Sequence, residues 1–410
     1  MKRASIALLS GSITLLIAYN LFNLCNLIYQ VSMARLLTPI EYGVLATAFS
    51  FLYVLGIASD AIQTATTTYV SQAHKPGKIH YFFSQGKKKL ISFAIGIMIF
   101  CLLLAWPLAI ILKMPYALLA LVSIASPFIL FLPLFRGILQ GTEQFTKLGF
   151  NLVWEALLKI TAAICLVILG WGVYGALGGV IIATFLSLPF AYYQLKPILQ
   201  TKEEKYTIST PLTKTVITFI FLGAIVGFYS LDLFIARALF SEEIAGNYAL
   251  AAVLGKIVLW GTLPISKAFL PLAVKSPRER KKILVKSFSL TLFLLLGALI
   301  VFYTIPQTVT TLFTGKELPL VNEILFSVAF AMSILALLNL YLMYLLATFK
   351  DTHVTSSKVK GIIGAIVLGL VSEGLILFSS GKDLSTFANG LIISAIALSV
   401  YVITARQLTK

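Results

Sequence analysis

Apolar residues run along the chain in long unbroken blocks, such as 90–112 and 287–303, separated by short polar stretches. Each block approaches the roughly 20 residues that carry a helix across about 30 Å of hydrocarbon. A helix closes its backbone hydrogen bonds internally, as a segment in lipid must, and the two-residue alternation of a membrane barrel strand is absent. The pattern predicts helices near 6–33, 43–71, 90–112, 117–139, 148–170, 173–195, 215–240, 246–273, 287–309, 321–347, 361–379 and 386–405. The expected fold is an all-α polytopic membrane protein of about 12 transmembrane helices. Lys2-Arg3 ahead of an apolar run resembles a signal peptide, but the run is long and lacks a clear small-residue cleavage site. It is read as the first helix.

Composition supports the same class. Hydrophobic residues make up 59% of the chain and charged residues 11%, against about a quarter charged in soluble domains. The net charge of +17 raises the question of nucleic acid, and its distribution answers it. Lys and Arg gather at Lys2 and Arg3, in the loops 75–89 and 196–214, at 275–286 and at Lys410. The alternate side carries only Arg35, Lys113, Arg237, Lys316 and Lys382, beside Glu41, Glu242, Glu243, Glu317 and Asp383. The positive-inside rule makes the rich side cytoplasmic, which puts both termini inside and gives an even number of spans in a cytoplasmic (inner) membrane. The basic charge is a topology signal with anionic lipid head groups as its natural contacts, and no nucleic-acid partner is expected.

The polar loops are under about 20 residues, too short for a nucleotide-binding domain, and no G-x-x-x-x-G-K-[ST] loop occurs. His74, His80 and His353 fall in polar loops and read as solvated. Cys25, Cys101 and Cys165 fall in apolar blocks without metal or disulfide spacing and read as packing residues. No metal or cofactor is expected. The outer loops at 38–42, 113–115 and 170–172 leave little room for a catalytic constellation, so the chain is read as a mover of cargo and not as an enzyme.

An internal repeat divides the helices six and six. Ala34-Arg35 is followed by Glu41 and Gly43, and Ala236-Arg237 by Glu243 and Gly246, each Glu six residues after its Arg. A weaker echo pairs Leu139-Gln140-Gly141-Thr142 with Leu346-Ala347-Thr348-Phe349. Six being even, both halves enter from the same side, which implies two lobes, 1–200 and 201–410, related by a parallel pseudo-two-fold along the membrane normal.

Met33-Ala34-Arg35-Leu36-Leu37-Thr38-Pro39-Ile40-Glu41-Tyr42-Gly43-Val44-Leu45 resembles the helix 1–2 signature of the polysaccharide transport, or O-antigen flippase, family. Phe135-Arg136-Gly137-Ile138-Leu139-Gln140-Gly141 with Phe145 is similar to its helix 4 signature. The wider multidrug/oligosaccharidyl-lipid/polysaccharide exporter superfamily shares these motifs and also holds multidrug extruders and lipid II flippases. The resemblance implies lobes alternating between inward-open and outward-open forms. It also implies a lipid-linked oligosaccharide on a polyprenyl pyrophosphate as cargo, and other polysaccharide-assembly proteins as partners. The alternatives are an ion-coupled multidrug extruder and a membrane-embedded polysaccharide polymerase.

Ionisable residues within spans mark candidate pathways. Here they are Asp60, Glu155, Lys159, Asp232, Lys256, Lys267 and Glu373. Lys267 follows Lys256 at a spacing that returns to within about 20° of the same helix face, roughly 16 Å along the axis. The two form a cationic ladder for the diphosphate, unless Lys267 snorkels to the head groups. Glu155 and Lys159, at i and i+4, either neutralise each other or serve cargo. Arg35 and Arg237 end their helices, where they answer the helix dipole or meet phosphate. Asn20, Asn23, Asn26 and Gln30 lie within an arc of about 120°, and Gln30 aligns with Asp232 in the repeat. Asp60, Thr64, Thr67 and Ser71 share a face of helix 2. Such stripes line a wet cavity or bond helix to helix. Lys256, Lys267, Arg35, Arg237, Asn23 and Gln30 are the expected cargo-binding residues. Asp232 and Asp60 are the expected sites for a coupling ion, H+ or Na+.

Overall fold

The computed structural model describes residues 2–73, 75–205, 212–348 and 357–408. Among these residues, the α-helices of the first half are α1 (Lys2–Leu36), α2 (Pro39–Ala73), α3 (Pro76–Ile111), α4 (Tyr116–Gly141), α5 (Phe145–Leu166) and α6 (Gly172–Leu199). Then follow α7 (Leu212–Leu239), α8 (Glu242–Lys275), α9 (Arg280–Thr304), the short α10 (Pro306–Thr314), α11 (Pro319–Thr348), α12 (Ser357–Ser379) and α13 (Leu384–Leu408). No strand occurs among the described residues. Among the described residues, ten stretches are long and apolar enough to cross a membrane, and one of them, Phe145–Leu199, contains both α5 and α6. The chain is an all-α, multi-pass membrane protein.

Three segments depart from the expected pattern. The basic stretch at 75–89, read as a loop, is the first part of α3. Pro76 sits in its first turn, where a missing N–H costs nothing. Ile79 and Phe83, one turn apart, bury against Tyr69, Phe135 and Leu139 while Lys87, Lys88 and Lys89 stay exposed. His80 is therefore a helix residue, its Nδ1 2.6 Å from the Thr201 carbonyl; His74 and His353 lie outside the described residues. The expected helix at 287–309 breaks at Ile305 (φ −135°, ψ 47°), because Pro306 removes a donor and pushes its predecessor out of the helical region. Finally, 170–172 closes a π-helical turn, Val167–Trp171, with Gly170 at φ 88° and Gly172 at φ 49°, a backbone that a side chain would strain.

The helices form two compact units. The first comprises residues 1–37 and 55–215, the second 38–54 and 216–410. In the first, α3 packs on α4, α4 on α6 and α5 on α6; in the second, α9 packs on α11, α11 on α13 and α12 on α13. These three pairings occur in the same chain order in both units.

Both signature motifs have a structural cause. In the first unit, Gly137 and Gly141 of α4 face α2 so closely that an added Cβ would lie 2.6 Å from Thr66 Cβ and 2.7 Å from Val70 Cβ. Glycines at i and i+4 are how membrane helices approach backbone to backbone. In the second unit, Thr38 and Glu41 form a capping box at the start of α2. The Thr38 N–H donates to Glu41 Oε2 at 2.9 Å, and the Glu41 N–H donates to Thr38 Oγ1 at 3.2 Å. Ser241 caps α8 in the matching place, accepting from the Ile244 N–H at 3.4 Å. Gly43 and Gly246 then meet each other, a Cβ on Gly43 falling 2.8 Å from Gly246 Cα.

Candidate functional site

Each unit holds its own cluster of charges, fully buried in the second and partly buried in the first. In the second, α7 supplies Asp232 and α8 supplies Tyr248 and Lys256, about two turns apart on one side of the helix. Asp232 is 0% exposed and Lys256 1%. Lys256 Nζ lies 3.2 Å from Asp232 Oδ1, Tyr248 Oη donates to Oδ2 at 2.9 Å, and the Leu233 N–H donates to Oδ1 at 2.7 Å. The Tyr229 ring covers the ammonium, 5.7 Å from Nζ to the ring centroid. Glu373 of α12 completes the cluster. It is fully buried, feels the charges of Asp232 and Lys256, and forms no hydrogen bond through either carboxyl oxygen among the described residues.

In the first unit, α4 supplies Arg136, α5 supplies Asn151, Glu155 and Lys159, and α6 supplies Thr184. Arg136 Nη2 bonds Glu155 Oε2 at 2.6 Å and its Nε bonds Asn151 Oδ1 at 2.8 Å. Thr184 Oγ1 donates to the second Glu155 oxygen at 2.9 Å. Lys159 reaches Asn26 of α1, its ammonium flanked by the rings of Tyr29 at 5.1 Å and Phe22 at 5.8 Å. Glu155 is thus held by a guanidinium from a neighbouring helix, and the i+4 lysine binds an amide on α1.

The expected site residues fall in different settings. Lys256 and Asp232, expected in separate roles, are one ion pair. Gln30 is buried on α1, while Asn23 on α1 and Asp60 on α2 are exposed. Arg35 is exposed at the end of α1. Arg237, at the end of α7, is 1% exposed and lies 3.8 Å from Glu242 Oε1, with Nη1 bonded to the Glu242 carbonyl at 3.4 Å. The side chain of Lys267 lies outside the described residues. Sequence reasoning missed Arg136, Asn151, Thr184 and Tyr248. Arg136 was signalled, since it falls inside the apolar block at 117–139; the polar partners on other helices carried no spacing that could reveal them.

Buried ions of this kind cost several kcal/mol each to desolvate, and mutual attraction returns that cost only where their hydrogen bonds are complete. Both oxygens of the fully buried Asp232 and of the partly buried Glu155 are hydrogen-bonded, and among the described residues neither oxygen of Glu373 is.

The fold is that of the MOP superfamily transporters. The chain is similar to an inward-facing multidrug resistance MATE family transporter of that superfamily, at 14% identity over 95% of this chain and 94% of that one, with a TM-score of 0.72. It is similar to the lipid II flippase MurJ in an inward closed conformation, at 12% identity over 96% and 87% of the two chains, with a TM-score of 0.69. A MOP superfamily transporter from Pyrococcus furiosus, described as having a binding pocket of reverse polarity, aligns at 14% identity over 98% and 95%, with a TM-score of 0.58. No curated protein matches the sequence. The family described as "Polysaccharide biosynthesis protein" matches residues 32–321, which include both signature motifs. The chain belongs to that family.

Proposed function

We propose that this protein is a flippase that carries lipid-linked oligosaccharide, on a polyprenyl pyrophosphate, across the cytoplasmic membrane for assembly of a surface polysaccharide such as O-antigen. The observation that supports this reading is the combination of a polysaccharide biosynthesis family with the MOP transporter fold. The lobes 1–200 and 201–410 alternate access to the two sides, with both termini cytoplasmic. Arg35, Arg237, Lys256 and Lys267 receive the diphosphate, and Asn23 and Gln30 face the sugars. Because Lys256 is held by Asp232, its ammonium becomes available to cargo only when that pair opens. A coupling ion at Asp232, or at Asp60, supplies the trigger.

Expression in a strain lacking its own oligosaccharide flippase tests the reading. The wild type restores surface polysaccharide, and Lys256→Ala at equal membrane level does not. Persistence of the lipid-linked intermediate in the inner leaflet despite wild-type protein refutes the assignment. A second reading, an ion-coupled drug extruder, draws on the likeness to a multidrug resistance MATE transporter. It predicts instead a shift in a drug-susceptibility panel in an efflux-deficient host.

A further inference from the structure

Helices α11 and α13 of the second unit pack along one another, and one seam between them stays accessible. Two hydrogen bonds tie its first end: Ser327 Oγ donates to Asn389 Oδ1 at 3.0 Å, and Ser385 Oγ donates to Glu323 Oε1. From there Phe330, Ile334 and Leu337 on α11, and Ile392, Ile396 and Ile403 on α13, recur at helical intervals, so each set keeps to one face, and none is fully buried. The seam ends at Arg406, in the last turn of α13. Its guanidinium donates to Tyr341 Oη at 3.2 Å and to Tyr344 Oη at 3.5 Å, and its Cζ lies 5.7 and 4.9 Å from the two ring centroids. The two rings stack on each other, with centroids 6.2 Å apart. A cation near a helix end ordinarily reaches for water on a loose stem. This one is fixed in place.

Each tyrosine hydroxyl accepts from the arginine, so its own hydrogen points away from the guanidinium, and among the described residues neither hydroxyl donates to the protein. The cluster therefore presents positive charge and two O–H donors, a set that suits the oxygens of a phosphate. The same end of the unit is basic. Phe269 of α8, Met343 of α11 and Ile283 of α9 share one core there. That core brings up the exposed Arg278, Lys281, Lys282 and Lys286 with one acid, Glu279, among them. These cations outweigh the partial negative charge at the ends of α11 and α13. Phe330 lies about 16 Å along the helix axis from Tyr341, which is the depth of one leaflet of a core about 30 Å thick. A lipid whose phosphate rests on Arg406 thus has an apolar track of matching length for one acyl chain.

We propose that the seam between α11 and α13 binds one anionic phospholipid of the adjoining leaflet, its phosphate on Arg406, Tyr341 and Tyr344 and an acyl chain along Leu337, Ile334 and Phe330. That leaflet is the inner one in the orientation proposed above. The site stands whatever the cargo, and a lipid held there joins the ends of two helices.

Native mass spectrometry and thermal unfolding of the full-length protein in detergent test the site with phosphatidylglycerol. Phosphatidylcholine of the same chains, whose choline would meet the surrounding lysines, is the control. The wild type retains one phosphatidylglycerol and gains Tm with it, and does neither with phosphatidylcholine. Arg406→Gln, and separately Tyr341→Phe combined with Tyr344→Phe, weaken that binding about tenfold or more and abolish the gain in Tm. Arg278→Gln, at the same end but outside the cluster, keeps both. The phenylalanine pair removes only two oxygens and carries the test should Arg406→Gln not fold. The proposal is overturned if the two lipids bind alike or if the phenylalanine pair binds as the wild type does. It is equally overturned if Arg278→Gln costs as much as Arg406→Gln, which marks a diffuse attraction of charge. Displacement of phosphatidylglycerol by inorganic phosphate makes this a free-anion site, and preferential retention of a polyprenyl phosphate makes it a cargo site. Either result overturns the phospholipid assignment.

Discussion

Lys256 and Asp232 depend on each other in a way that single substitutions will exaggerate. Removing one partner of a buried pair strands the other charge and costs about 3–5 kcal/mol, whereas replacing both by apolar or neutral groups is often close to neutral. Lys256→Met is therefore expected to lower the Tm in detergent sharply, and Lys256→Met with Asp232→Asn to recover most of the loss. Additive losses in the double variant would show that the two side chains do not form one unit. The same residues show how far sequence spacing reaches. The i, i+4 interval of Glu155 and Lys159 describes one face of one helix, so it offered them to each other. The structure gives Glu155 to Arg136 of α4 and Lys159 to Asn26 of α1, with the Arg136 guanidinium fixed between Glu155 and Asn151. Partners on other helices have no fixed interval in the chain, and no reading of intervals finds them.

At the scale of single elements, the two signature motifs are structural before they are anything else. Gly137→Val places a branched side chain where a single Cβ would already lie 2.6 Å from Thr66. It should lower the yield of folded protein severely, seen as loss of the monodisperse peak in size-exclusion chromatography. A normal peak would mean that α2 and α4 separate easily. Thr38→Ala removes one half of the capping box and is expected to cost about 1 kcal/mol, visible as a small fall in Tm with folding intact. Helix identity was legible because an apolar block of spanning length admits few other structures. Helix ends were not. Charge at Lys87 to Lys89 suggested a loop, yet the spacing of Ile79 and Phe83 sustains α3 through it. Pro306 was a legible break, but the apolar run around it masked the signal.

For the whole molecule, the distribution of Lys and Arg carries a directional statement that the helices alone do not. In a cysteine-free background, Lys316→Cys should react with a membrane-impermeant maleimide on intact cells, and Lys281→Cys only after permeabilisation. The reverse pattern would invert the proposed orientation. The division into repeats was legible from Arg35, Glu41 and Gly43 against Arg237, Glu243 and Gly246, since each set marks the end of one helix and the start of the next. The allotment of residues 38–54 to the second unit was not legible, because a helix read as continuous gives no sign that its two ends serve different cores.

That allotment has a consequence for synthesis. Phe51 packs on Phe234, with ring centroids 4.6 Å apart, and Tyr53 on Tyr229 and Trp260, each at 5.8 Å. The ribosome makes the first partners roughly 180 residues before the second, about 10–40 s at ordinary elongation rates. During that interval the early part of α2 is a finished helix whose own core does not yet exist. The second unit cannot close from its late-made residues alone, and it waits for a segment made at the start.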